Sequence, residues 1–229
     1  MRDDGAMGND ARTLIDDAID VALRSLAAPG DWLTGDQRRA ATAQALDART
    51  NELDMRRREA ISPHAVAGAH AACDGLSAEA VEVVHRIASD PGRLTRAWAQ
   101  QVIDVLGEET YTELVGVAAC AAVVDTFTWS MTGKTMAPAQ VVAGEPAKER
   151  PADVGDVGAW VAQSTAVGNA NVSRSLSLVP VTNRAWVGLV QALYSRGAEF
   201  LDLAWDRALS RPQVELVAAR TTAELECFY

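Results

Sequence analysis

Cys227, Phe228 and Tyr229 read as a Cys-x-x-Cys motif that stops before its second thiol. In such a motif one sulfur attacks and its neighbour resolves the product, and a place at a helix start makes the first thiol more acidic. Only the attacking half stands here. Glu215 lies twelve residues upstream. On these residues alone two readings stay open: a redox centre, or an inert thiol behind an amphipathic helix whose glutamate only complements the helix dipole.

Other reactive side chains are weaker candidates. His64, His70 and Cys73 cluster in HAVAGAHAAC. Histidines at i and i+6 face different sides of a helix and no fourth ligand is near, so no metal site is expected. His85 follows an apolar run and should be a helix-side residue with an ordinary hydrogen bond. Cys120 sits among Ala and Val and should be a buried, unreactive thiol with a raised pKa. Arg56, Arg57 and Arg58 fit a solvated helix face. The six tryptophans are spread over different helices at packing positions. No phosphate-binding glycine loop and no Ser-His-Asp arrangement stands out.

Composition narrows the classes. The 229 residues are 48% hydrophobic with 5% aromatics, a mixture dominated by Ala, Val and Leu that favours helices and supports a sizeable core. A formal charge of -10 argues against a nucleic-acid surface, which needs clustered Lys and Arg. The acidic MRDDGAMGND start has no apolar signal core, and no run of about 18 apolar residues predicts a membrane span. Three cysteines in such a chain point to a cytoplasmic protein without a disulfide framework.

The elements that must position these residues are helical nearly throughout. Leu14, Ile15, Ala18, Ile19, Ala22, Leu23 and Leu26 mark a first amphipathic helix ending before Pro29-Gly30. A more polar helix should run from Asp36 to Ala60. Ser77 should cap a helix carrying Val81, Val84, Ile87 and Ala88, stopped by Asp90-Pro91-Gly92. The next buries Leu94, Trp98, Val102, Ile103 and Leu106, and Gly107 closes it. From Tyr111 to Val124 the chain is apolar all round and should be fully buried. Ser210-Arg211-Pro212-Gln213 is a capping box that opens a last helix with Val214, Val217, Ala218 and Leu225 inward. Between them, Gly133 to Gly168 reads as a surface linker, long for the inside of one domain.

A shift of 102 residues superposes Leu76 on Leu178 and Glu113-Leu114-Val115 on Glu215-Leu216-Val217, which predicts two repeated helical units. The expected organisation is an N-terminal helical extension (1–70), a first unit (71–132), a linker (133–170) and a second unit (171–229), all-α.

The Glu-x11-Cys-x-x spacing, with AVEVVHRIASDPGRLTRAW, ELVGVAACAAVVDTFTWSMTG, VAGEP, NVSRSLSLVP and ALSRPQVELVAAR, resembles the AhpD-like alkylhydroperoxidase and carboxymuconolactone decarboxylase superfamily over residues 60–229. The resemblance implies an AhpD-like helical bundle and a thiol- or selenol-dependent peroxidase that reduces hydroperoxides. Cys227 takes the first cysteine position and Glu215 the proton-relay position. A dithiol protein or small thiol supplies the electrons, a homo-oligomer is the usual assembly, and no cofactor, metal, nucleic acid or membrane is involved.

Three features depart from the family pattern. The second thiol and the family's histidine would follow Tyr229. Leu225-Glu226 stands where relatives place a helix-breaking Asn or Gly. The first unit keeps Glu113 but has Asp125 and Thr128 at the thiol positions, so it reads as a structural copy. A lone thiolate reaches sulfenate, whereas turnover needs a resolving thiol, so activity of these 229 residues is expected to be impaired. Relatives of this branch include selenoproteins, and a TGA codon after Tyr229 would restore a Cys-x-x-selenocysteine pair. The alternatives are a lactone decarboxylase of the same superfamily and a non-catalytic helical protein acting through oligomerisation or ligand binding.

Overall fold

In the computed structural model, residues 4–73, 75–166, 171–194 and 208–224 are described. The fold is all-α: helices α1 (Asp4–Ser25), α2 (Gly35–Asp47), α3 (Glu52–Glu59), α4 (Ala78–Ser89), α5 (Arg96–Leu106), α6 (Glu108–Thr132), α7 (Asn171–Arg174), α8 (Pro180–Leu193) and α9 (Arg211–Glu224). The only ladder among the described residues pairs β1 (Val154–Gly155) antiparallel with β2 (Gln163–Ser164).

Local chemistry sets the helix boundaries. Thr34 and Gln37 form a reciprocal capping box, so α2 starts there rather than at Asp36. The single helix expected from Asp36 to Ala60 is two. Asn51 is extended, and its side chain accepts from Leu53 N at 3.0 Å, which starts α3 afresh. Ser77 caps α4 and Thr95 caps α5, each by accepting from the backbone N–H three residues on. Gly107, at φ 83°, ends α5 and leads directly into α6.

Helix α6 is the axis of the core, packed against α1, α2, α4, α5 and α8. Leu114, Val117, Ala118, Ala121 and Val124 are fully buried. This helix has the length and hydropathy of a membrane span, and 44% of that window is buried. Ala122 is exposed within the run expected to be fully buried, and the last two turns carry exposed Trp129 and Met131. Gly116 permits a close approach of α8: a Cβ there would lie 2.5 Å from Thr182 Cγ2. Trp129 and Trp160 are exposed, against the expectation that the tryptophans fill the core. Arg57 is buried although Arg56 and Arg58 are not, because it turns inward to pair with Glu82 at 2.8 Å.

The expected linker is irregular but anchored. Val142 N donates to Ala27 O and Lys148 N to Asp31 O, both at 2.8 Å, and Met136 and Pro146 are buried. It straps the α1–α2 turn. That turn in turn reaches α8: the Asp31 carboxylate accepts from Val181 N at 3.1 Å and Thr182 N at 3.2 Å. A carboxylate at a helix N-terminus satisfies orphan donors and meets the positive end of the dipole.

Candidate functional site

Glu113 and Glu215 each open a Glu-Leu-Val phrase, and their surroundings differ completely. Glu215 lies in the first turns of α9. Half of the expected Ser210–Gln213 capping box forms: Gln213 Oε1 accepts from Ser210 N at 2.9 Å and from Ser210 Oγ at 3.0 Å. The Glu215 carboxylate pairs with Arg211 Nε at 2.6 Å and accepts from the Tyr194 hydroxyl at 3.3 Å. Its side chain keeps 43% exposure. Burial, then the Glu215 charge, pushes the Tyr194 phenol above its usual range, which keeps it a donor. None of the residues of α9 is buried; Leu216 and Val217 are exposed, contrary to the inward face expected for Val217. Cys227 and Leu225 lie outside the described residues.

Glu113, by contrast, has no exposure. It forms a salt bridge with buried Arg38 and accepts from Trp32 N at 2.5 Å and Leu33 N at 3.1 Å. Arg38 also donates to Thr182 Oγ1 at 2.7 Å and to Ser25 O at 2.9 Å. Burial holds the Glu113 carboxyl above the usual range against the pull of Arg38. Gly30 lies directly beneath this pair, and any Cβ there would collide with the Glu113 and Arg38 side chains. Asp125, at the position matching Cys227, is buried, forms a salt bridge with Arg49 and accepts from Met136 N at 2.8 Å. Carboxylates that bind this many donors hold loops in place and have no lone pair turned to solvent.

A third cluster joins residues that the sequence reading kept apart. His64 stays exposed, with its ring nitrogen 3.2 Å from Arg93 O. His70 does not share a helix with it; the irregular segment before α4 carries His70 onto His85, ring centroids 3.8 Å apart and 22° from parallel. His85 is buried rather than a simple helix-side residue. Its Nδ1 lies 2.5 Å from Asp54 Oδ2 and its Nε2 lies 2.9 Å from Gln44 Oε1. His70 lies 2.7 Å from Glu82 Oε2 through Nδ1 and 3.4 Å from Asp54 Oδ2 through Nε2.

Burial alone would lower the His70 pKa, but the Asp54 and Glu82 carboxylates outweigh it and raise the pKa to about 9. The same contacts hold Asp54 well below the carboxylate range despite its burial.

Comparison with protein-family models, with curated proteins and with solved structures finds no match.

Cys120 is buried, as the sequence suggests. Burial pushes Cys120 up to about 12. Cys73 is only half-buried, and neither forms a disulfide. A cleft of about 370 Å³ beside α6 is lined by Tyr111, Val115, Trp160, Leu176 and Trp186 among others. Its only titratable group, Tyr111, is kept protonated by burial, at about 12. The cleft can hold an apolar group, and among the described residues its lining carries no group that titrates near neutral pH.

The sequence reading passed over Asp54, Glu82 and Gln44. One signal was present: His85 sits on the apolar stripe of α4, and a polar ring at a core position requires buried partners.

Proposed function

We propose that this chain is an AhpD-like, thiol-dependent peroxidase in which Cys227 is the attacking thiol and Glu215 the proton relay. The observation that supports this reading is the contrast between the two repeated glutamates: Glu113 is sealed in an ion pair, whereas Glu215 is solvent-accessible and oriented by Arg211 and Tyr194. A proton relay needs a carboxylate that can reach both sulfur and water.

In the reaction, the Cys227 thiolate attacks the outer oxygen of the hydroperoxide. A sulfur–oxygen bond forms as the oxygen–oxygen bond breaks, sulfur gives up two electrons, and the alkoxide leaves. Glu215 takes the thiol proton, directly or through water, and returns it to the alkoxide. A dithiol protein or small thiol then reduces the sulfenate, releasing water and forming a disulfide. Exposed Leu216 and Val217 on α9 support a homo-oligomeric assembly.

Single-turnover trapping tests the reading. With an organic hydroperoxide and dimedone, mass spectrometry should find a sulfenate adduct at Cys227 that Cys227→Ser abolishes. Glu215→Gln should slow its formation by about a hundredfold. Labelling at Cys73 alone, or no labelling, would overturn the peroxidase and leave the lactone decarboxylase or the non-catalytic helical protein.

A further inference from the structure

In the His70–His85–Asp54 cluster, both outer ring nitrogens already face acceptors, Glu82 Oε2 for His70 Nδ1 and Gln44 Oε1 for His85 Nε2. The inner nitrogens, His70 Nε2 and His85 Nδ1, converge on one atom, Asp54 Oδ2, from 3.4 and 2.5 Å.

A second observation points the same way. The His70 side chain is only 7% exposed, and its Nε2 has no hydrogen-bond partner among the described residues. Buried ring nitrogens are ordinarily satisfied. This one is aimed into the cluster, 3.4 Å from Asp54 Oδ2. All the ligand atoms lie within 4.8 Å of one another. The carboxylate and amide on the outer nitrogens are the partners that orient metal-binding histidines and raise their basicity.

We propose that Asp54, His70 and His85 bind one divalent cation of the Zn²⁺ class, with Glu82 and Gln44 orienting the rings. Two imidazoles and one carboxylate suit Zn²⁺ and its first-row neighbours, not Mg²⁺, which demands oxygen. The site is closed: Asp54 has no exposure and His85 only 1%. A cation buried out of reach of substrate has a structural role. It ties the irregular stretch before α4, which carries His70, to α3 through Asp54 and to α4 through His85. This is independent of the peroxide chemistry at Cys227.

The test is a calorimetric titration of the chelator-stripped full chain with ZnCl₂ and, separately, MgCl₂. One Zn²⁺ per chain and no Mg²⁺ are expected, with a visible Co²⁺ spectrum of a low-symmetry nitrogen–oxygen centre. His70→Asn, in an irregular segment, should abolish the Zn²⁺ heat while circular dichroism stays helical. Glu82→Gln should weaken binding about 10–100-fold. Absence of Zn²⁺ binding by the wild-type chain, or equal Zn²⁺ affinity in wild type and His70→Asn, would overturn the proposal.

Discussion

Glu113 and Glu215 start from the same sequence phrase, Glu-Leu-Val, and end in opposite physical situations. Glu113 stands on a helix packed on five sides, so it must be matched by Arg38 and by the N–H groups of Trp32 and Leu33. Glu215 stands on a helix with no buried residue and meets only Arg211 and Tyr194 among the described partners. A repeated carboxylate is thus a keystone where its helix is enclosed and an available base where its helix is open. The segment around the residue decides which.

The contrast can be broken most severely at its buried end. Glu113→Ala leaves Arg38 as an uncompensated buried charge and should cost about 3–5 kcal/mol, read from urea unfolding. Asp31→Ala removes the cap of α8 and should cost about 1–2 kcal/mol by the same measurement, without altering Glu215. Glu215→Gln, the matched change at the open end, should shift stability by less than about 0.5 kcal/mol. A loss as large as that of Glu113→Ala would erase the distinction.

The smallest effect concerns Cys120, beside the Glu113 end. Its folded pKa is raised from 9.0 to about 12, so the fold favours the protonated thiol. That contribution is complete below the unfolded value and is lost as the pH rises through the folded one. At about pH 8.5, iodoacetamide should leave Cys120 unmodified in the native chain and alkylate it once urea unfolds the protein.

Much of the scaffold was legible in the sequence because local rules govern it. Ser77 and Gly107 act where their chemistry says they should, and the apolar run from Tyr111 to Val124 became the central helix. The break at Asn51 was missed because both flanking stretches are polar and helical, leaving no change of period. The Asp54–His70–His85 cluster was invisible for another reason. It joins residues 16 and 31 positions apart through a segment without periodicity, and tertiary packing alone brings them together. Arg57 was misread as solvated for the same reason: its partner Glu82 lies on a different helix.

The capping of α8 by Asp31 also orders events in time. The turn after α1 emerges from the ribosome about 150 residues before Val181 and Thr182, whose amides Asp31 binds. Arg38 waits as long for Thr182 Oγ1. Helices α2, α4, α5 and α6 pack on one another from residues made before then, and Arg38 already has Glu113. Asp31 and the α1–α8 contact, by contrast, are completed only when α8 clears the exit tunnel.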